Sequence, residues 1–206
     1  MRIGLFGGSF DPPQQAHLTL ARAALEQLAL DELRWLPAGR PWQKEHALAP
    51  AEHRCAMLAT LMAGEPRFVL DRREILRAGP SYTIDTVREL QAERPGAVLF
   101  VVIGQDQYAR LDTWRDWPAL LDAVTLAVAA RADAMVQPPA ALAAHAHRLC
   151  RLEMPPSAVS ATGIRAHLAA GGRAEDLVPA MVPAEVARYI DMHRLYRSPA
   201  APPARS

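Results

Sequence analysis

The sequence has few cysteines, no long apolar run and almost no net charge, and each shortage narrows the kinds of protein that it encodes. No apolar stretch approaches the roughly 18 residues that a membrane helix needs. Glycines, Asp11 and prolines interrupt the apolar N-terminal run, which argues against a signal peptide. We therefore expect a soluble, cytoplasmic protein that does not bind membranes.

The shortages of cysteine and of net charge exclude further classes. Cys55 and Cys150 are the only cysteines, and they form neither a CxxC pair nor a spacing typical of zinc ligands. We expect two buried, reduced thiols, and we predict no set of protein metal ligands. The 23 basic and 22 acidic side chains leave a charge of +1, which does not support a broad basic surface for a nucleic-acid polymer. A single nucleotide needs only a local cluster of cations.

The sequence does contain a regular alternation of short apolar runs and helical patterns. The runs predict strands at 2–7, 33–37, 67–70, 97–103, 124–129 and 148–153, and helices at 15–29, 51–63, 83–94, 160–171 and 183–193. We take Ser81 or Thr83 as the N-cap of the helix at 83–94. The alternation predicts an α/β fold, a Rossmann-like, doubly wound parallel sheet with helices on both faces and a helical C-terminal segment. We expect one domain at 1–197 and a disordered, Pro/Ala-rich tail at 198–206.

The run GGSFDPPQQAHL, residues 7–18, joins the first predicted strand to the first helix. Gly7 and Gly8 allow the backbone to approach a ligand without an intervening Cβ. The following helix directs its unpaired N–H groups and the positive end of its dipole to the same place. His17 lies in the first helical turn and adds a side-chain donor. This combination is typical of a phosphate-binding turn.

Polar clusters also follow the other predicted strands. They lie at 39–44, at Gly104 to Asp106, and at Arg131. In open parallel sheets, ligands bind beyond the carboxyl ends of the strands, where the strand order reverses. The clusters therefore predict one ligand site at that edge of the sheet.

A second motif, VSATGIR at 159–165, opens the first C-terminal helix. Ser160 or Thr162 could cap this helix, and Arg165 would point its guanidinium near the same helix start. Together with the N-terminal run it resembles the nucleotidyltransferase superfamily, whose members carry G-G-[ST]-F-D-P-x-H-x-G-H and S-[ST]-T-x-I-R. The chain is most similar to the nicotinate mononucleotide adenylyltransferase family. Further matches are SYT at 81–83, IGQD at 103–106, DTW at 112–114 and YIDMHRLY at 189–196.

The resemblance implies transfer of AMP from ATP to nicotinate mononucleotide, with Mg²⁺, giving deamido-NAD and pyrophosphate in NAD biosynthesis. It implies that His17 contacts the ATP phosphates and stabilises the transition state, that Arg165 binds these phosphates from the opposite side together with Ser160 and Thr162, and that Gln14 belongs to the catalytic set. The ATP-binding residues that it implies are Gly8, Ser9, Phe10, Lys44, Ser160 and Thr162. On the substrate side it implies Thr83, Gly104, Asp106, Trp114 and Arg131, with Thr83 and Trp114 at the pyridine ring.

The sequence departs from the family pattern in the N-terminal motif. Gln14 replaces its first histidine, and Ala16 replaces the glycine before His17. A glutamine amide donates a hydrogen bond but cannot carry a positive charge. Removing one charge-stabilising donor from such a site costs about 10²–10³ in rate. We therefore predict an ATP-binding protein whose turnover is lower than that of a Gln14→His variant.

Other functions remain open on the sequence alone. One is another nucleotidyltransferase, such as a phosphopantetheine adenylyltransferase. Another is a nucleotide-binding protein that has lost catalysis through Gln14. A hydride-transferring enzyme is disfavoured, because no G-x-G-x-x-G follows the first strand. The preference between nicotinate and nicotinamide is open, and so is a homo-oligomeric state.

Overall fold

The computed structural model describes residues 1–39, 48–131, 138–155, 157 and 159–198, except for the side chains of residues 130 and 131. The strands are β1 (Arg2–Gly8), β2 (Glu32–Pro37), β3 (Phe68–Leu70), β4 (Val98–Gly104), β5 (Thr125–Arg131) and β6 (Arg148–Met154). They form one parallel sheet in the order β3-β2-β1-β4-β5-β6. The order reverses between β1 and β4, where Leu5 lies opposite Val101. The predicted doubly wound parallel sheet is confirmed.

Helices cover both faces of this sheet. They are α1 (Gln15–Gln27), α2 (Ala51–Met62), α3 (Arg73–Leu76), α4 (Thr83–Glu93), α5 (Gln105–Tyr108), α6 (Trp117–Ala123), α7 (Ala140–Ala143), α8 (Ala161–Ala169) and α9 (Ala184–His193). Short 3₁₀ segments lie at Leu111–Thr113 and Ala174–Leu177. Helices α1, α2, α8 and α9 contribute to the apolar core of one face, and α4 to α7 contribute to that of the other.

The two cores follow from the alternation of side chains along each strand. In β4, Phe100 and Val102 join the core beneath α1 and α2, whereas Val101 and Ile103 join the core beneath α4 and α6. Because both faces are buried, the strand is almost continuously apolar, as strands of parallel sheets usually are. Residues at its carboxyl end leave both cores and can contact a ligand.

The sequence analysis predicted the strands and the long helices and missed the short helices. Each predicted strand or helix is present, with bounds within two residues of the observed ones. The helices α3, α5, α6 and α7 were not predicted, because four to seven residues show too little periodicity. The predicted N-cap of α4 was wrong, since Tyr82 occupies that position without a side-chain hydrogen bond. Cys55 is buried, but Cys150 is half-buried on the edge strand β6, which is exposed on one side.

Two expectations about the whole chain concern a membrane span and the domain boundary. Within the described residues, the structure contains no helix with both the length and the apolar character needed to cross a membrane. The predicted domain boundary at 197 stays a prediction, because 199–206 lie outside the described residues. Ser198 is described, and its hydroxyl donates to the carbonyl of Ala169 at 3.1 Å.

Candidate active site

A cavity of about 640 Å³ opens at the point where the strand order reverses. Gly7 of β1 and Gly104 of β4 lie at the carboxyl ends of two neighbouring strands, and both line the cavity. A Cβ built on either glycine meets no atom of the described chain within 4 Å, so these two positions face open space. The cavity has the size of sites that bind small molecules, which span roughly 300–1,000 Å³.

The turn after β1 forms one wall of the cavity. Gly8 and Ser9 line it, whereas the ring of Phe10 is buried beneath them and is 1% exposed. Phe10 has a φ of 47°, in the left-handed region that residues with a Cβ rarely adopt. A Cβ on Gly8 would lie 3.0 Å from the Phe10 ring, so this position has little space for a side chain. The turn therefore presents backbone to the cavity, as predicted for a phosphate-binding turn.

His17 lines the same wall and is held in one orientation. Its Nδ1 accepts the backbone N–H of Gln14 at 3.2 Å, which places the ring proton on Nε2. The ring packs edge-on against Phe10, with centroids 5.1 Å apart. Burial lowers the His17 pKa from 6.5 to about 4, because the charged ring would lose its hydration. At neutral pH, His17 is therefore a neutral N–H donor at the cavity wall.

Gln14 begins α1 as its N-cap and also lines the cavity. Its side chain is 9% exposed, and Oε1 is buried without a hydrogen-bond partner among the described residues. A buried carbonyl oxygen with no donor is unfavourable. Position 14, where the family motif has a histidine, lies next to His17, so a substitution there would affect the same wall.

The second motif reaches the outside of this turn. Ser160 is the N-cap of α8, and its Oγ accepts the N–H of Gly163 at 3.1 Å, so Ser160 rather than Thr162 caps the helix. Arg165 Nη1 donates to the carbonyl of Asp11 at 2.7 Å, and Nη2 lies 3.4 Å from Thr162 Oγ1. The N- and C-terminal motifs therefore meet. Among the described residues, those of α8 contact the turn rather than line the cavity wall.

The opposite wall contains the predicted substrate-side residues. Thr83, Asp106 and Trp114 all line the cavity, together with Gly104. Thr83 is the first residue of α4, whose N-cap makes no side-chain hydrogen bond. The Asp85 N–H donates to the Tyr82 carbonyl at 3.2 Å, so among the described contacts the N–H groups of Thr83 and Ile84 remain for a ligand. Trp114 is half-buried and packs partly against the core beside α4 and α6. This wall combines helix N–H groups with one partly exposed aromatic ring.

Two further residues of this wall were missed by the sequence analysis. Arg115 stacks over the ring of Tyr82, with its guanidinium carbon 4.7 Å from the ring centroid, and both residues line the cavity. Each directly neighbours a predicted residue, Trp114 or Thr83, so the motif matches at 81–83 and 112–114 could have drawn attention to them. Because the stacking contact joins two separate segments, no local sequence pattern predicts it.

Two predicted residues cannot be assessed from the structure. Lys44 lies within 40–47, outside the described residues, and the side chain of Arg131 is likewise not described. The backbone of Arg131 ends β5, at the same edge of the sheet as the cavity. Their roles in binding ATP and substrate stay predictions.

Comparison with known proteins first defines the class. The model of the cytidylyltransferase-like family matches residues 5–167, a span that includes the second half of β1, the turn after it and most of α8. With the cavity at the strand reversal and the two motifs in contact, this match makes the protein a nucleotidyltransferase of the cytidylyltransferase-like class.

Curated relatives then define the family. Two proteins named "Probable nicotinate-nucleotide adenylyltransferase" are similar over almost their whole length. The one from Methylibium petroleiphilum is 59% identical over 198 residues, which are 96% of this chain and 93% of the relative. The one from Bordetella petrii is 48% identical over 200 residues, which are 95% of this chain and 99% of the relative. The chain therefore belongs to the nicotinate-nucleotide adenylyltransferase family.

Solved structures share the fold at much lower identity. The nicotinic acid mononucleotide adenylyltransferase of Plasmodium falciparum, complexed with NaAD, aligns with a TM-score of 0.77 at 16% identity, covering 95% of this chain and 97% of that one. Its complex with APC aligns with a TM-score of 0.76, also at 16% identity, covering 95% and 96%. These structures independently confirm the Rossmann-like fold.

Proposed function

We propose that this protein transfers AMP from ATP to nicotinate mononucleotide, releasing pyrophosphate and forming deamido-NAD for NAD biosynthesis. The observation that carries the proposal is the single cavity between two unlike walls. One wall is a glycine-rich turn with a neutral histidine donor, suited to phosphates. The other has free helix N–H groups and an aromatic ring, suited to an anionic aromatic ring system. The relatives in the family carry the same activity in their names.

The reaction requires no protein nucleophile. A phosphate oxygen of the mononucleotide forms a bond to the α-phosphorus of ATP, and the bond from that phosphorus to the bridging oxygen of the leaving pyrophosphate breaks. The attacking phosphate is largely dianionic at neutral pH, since its second pKa is about 6. The protein must hold two anions in line and stabilise the charge that moves to the leaving group. In our proposal His17 donates its Nε2–H to the ATP phosphates.

The other proposed ATP contacts lie around the same turn. Gly8, Ser9 and Phe10 contribute their backbones. Ser160, Thr162 and Arg165 bind phosphates from the α8 side, and Lys44 adds a further cation. Because Arg165 donates to the Asp11 carbonyl in the described structure, its phosphate contact would share or exchange that bond.

Mg²⁺ accompanies ATP in this proposal. The described residues contain no group of three His, Cys, Asp or Glu side chains that could hold a metal ion. Mg²⁺ suits such a site because it retains water and binds substrate phosphates through few protein groups. Asp106 is the exposed carboxylate of the cavity wall and would hold this ion or its water. The ion would neutralise charge on the triphosphate.

The acceptor is placed on the opposite wall. We propose that the nicotinate carboxylate accepts N–H groups at the start of α4, at Thr83, while Trp114 stacks on the pyridine ring. The guanidinium of Arg115 over Tyr82 adds positive charge on this side. Gly104, Asp106 and Arg131 would contact the rest of the mononucleotide. We propose a cytoplasmic enzyme, which can form a homo-oligomer.

The test measures ATP-dependent release of pyrophosphate with three acceptors: nicotinate mononucleotide, nicotinamide mononucleotide and phosphopantetheine. We expect the highest kcat/KM with nicotinate mononucleotide. If kcat/KM is highest with phosphopantetheine, the protein is a different nucleotidyltransferase. ATP binding without pyrophosphate from any acceptor would instead identify a nucleotide-binding protein that Gln14 has inactivated.

A further inference from the structure

We propose that Tyr196, in the C-terminal motif, is a positioning residue for the ATP-binding wall. Its hydroxyl, through Asp11, holds the N-terminal turn against Arg165, so that residues near the C-terminus set the geometry of the phosphate site. The proposal rests on the proposed function, since that function makes the turn the place where ATP binds. It gives a role to the motif at 189–196, which matched the family pattern without an assigned function.

The contact between Tyr196 and the N-terminal turn is short and partly buried. Tyr196 Oη donates to Asp11 Oδ1 at 2.8 Å, across 185 residues of sequence. The same oxygen accepts the N–H of Ala49 at 3.1 Å, and Asp11 is only 1% exposed. Burial and the nearby Asp11 carboxylate raise the Tyr196 pKa, so this hydroxyl stays protonated and remains a donor. Hydrogen bonds to a buried carboxylate are stronger than those between neutral groups.

Asp11 links this contact to the proposed catalytic machinery. Its backbone carbonyl accepts Arg165 Nη1 at 2.7 Å, so one residue receives both Tyr196 and Arg165. The buried Arg54 of α2 donates to the carbonyls of Ser9 at 2.9 Å and Ala49 at 3.0 Å. The turn is therefore held by α2, by α8 and by the C-terminal residues, and each contacts a different atom.

The backbone that brings Tyr196 to Asp11 adopts an unfavourable conformation at two residues. After α9, Arg194 and Tyr196 have φ values of 50° and 63°, in the left-handed region that is unfavourable for residues with a Cβ. Between them, the N–H of Leu195 donates to the carbonyl of Ile190 at 3.1 Å and closes the helix. The two left-handed residues reverse the chain, which then brings the Tyr196 hydroxyl to Asp11.

Loss of the hydrogen bond from Tyr196 to Asp11 should affect the kinetics of ATP rather than those of the mononucleotide. Among the described contacts, Tyr196 reaches the turn and its neighbouring core, whereas the wall with Thr83 and Trp114 is built from other segments. A displacement of donors by about 1 Å can cost up to about 10²-fold in rate. Loss of the hydroxyl should therefore lower kcat/KM for ATP and leave the KM for the mononucleotide nearly unchanged.

The experiment compares Tyr196→Phe with Tyr189→Phe in the full chain. Tyr189 is a matched control, because it is also half-buried near the C-terminus and its hydroxyl also makes one 3.0 Å contact, with His53 Nδ1. For Tyr196→Phe we expect kcat/KM for ATP to fall about tenfold, as for loss of a charge-assisted hydrogen bond. We expect the mononucleotide KM to stay within about twofold, and Tyr189→Phe to retain the wild-type values. Combining Tyr196→Phe with Asp11→Asn should give less than the product of the single effects.

The possible outcomes separate this inference from the proposed function. Equal kinetics for Tyr196→Phe and Tyr189→Phe, in an active wild type, would overturn the inference and leave the function intact. Equal losses for both substrates, in step with a lower melting temperature, would also overturn it by showing a general structural contact. If the wild type releases no pyrophosphate, the function fails. The inference then depends on calorimetry with a non-hydrolysable ATP analogue, where equal affinity of the two variants would overturn it.

Discussion

The two walls of the cavity are built from the chain in different ways. The wall with the proposed phosphate-binding turn depends on contacts across 154 residues to Arg165 and 185 residues to Tyr196. The opposite wall uses the start of α4 and the segment at Asp106 to Arg115, and its stacked pair of Tyr82 and Arg115 lies near the surface. Partly buried polar contacts hold the first wall, and we expect it to be rigid. We expect the second wall to adjust to the acceptor, because Arg115 is exposed and Tyr82 and Trp114 are only half-buried.

The largest effect should come from the rigid wall. We expect His17→Ala to lower kcat by about 10²–10³, because it removes a donor positioned at the developing charge. His145→Ala is the control, since His145 contacts Asp122 away from the cavity. Pyrophosphate release under saturating substrates measures the difference. If His17→Ala retains the wild-type kcat, His17 does not take part in the mechanism, and the proposed difference between the two walls is wrong.

The adjustable wall should respond in KM rather than kcat. We expect Trp114→Ala to raise the KM for nicotinate mononucleotide about tenfold, as expected for loss of stacking on one ring. The KM for ATP should change little. Trp117→Ala is the matched control, because Trp117 is equally half-buried but contacts His145 outside the cavity wall. If both variants raise the KM equally, Trp114 contributes packing and no stacking.

A smaller gain is expected where the chain departs from its family pattern. Gln14→His should raise kcat several-fold to about tenfold, because bound phosphate favours the charged imidazole, and a charged donor binds phosphate more strongly than an amide. The neighbouring Gln15→His is the control, since Gln15 is half-buried but is not among the residues that line the cavity. Steady-state kinetics of the wild type, Gln14→His and Gln15→His measure the difference in kcat. Identical turnover would show that position 14 does not contribute to charge stabilisation.

The smallest expected effect concerns stability and pH. The His17 pKa is lowered from 6.5 to about 4 in the folded protein, so between these values the unfolded chain binds a proton that the folded protein does not. Protonation therefore favours unfolding, and stability should fall as the pH decreases from 6.5 to 4. In His17→Asn this part of the pH dependence should be absent. Urea titrations at several pH values measure it, and parallel curves for the two proteins would contradict the lowered pKa of His17.

Most of the fold could be predicted because long apolar patterns carry it. The β4 run at Val98–Gly104 is apolar at almost every position, which only burial on both faces explains. The α4 start shows the opposite case. Ser81 and Thr83 are typical N-cap residues, but Ser81 Oγ instead accepts the N–H of Gly39 at 3.1 Å and donates to the Glu74 carbonyl. A tertiary contact therefore changed a local preference.

The sequence alone determined the doubly wound sheet and the glycine-rich turn after β1, and its resemblance to the family indicated several of the residues that line the cavity. The sheet and the turn could be predicted because hydrophobic periodicity and glycine spacing act over a few neighbouring residues, whereas the cavity residues came from the match to the family motifs. Tertiary structure alone decided that Arg165 and Tyr196 meet at Asp11, that Arg115 covers Tyr82, and that His17 is neutral. Each of these depends on distance, burial or orientation between remote segments, and these quantities exist only once the chain is packed.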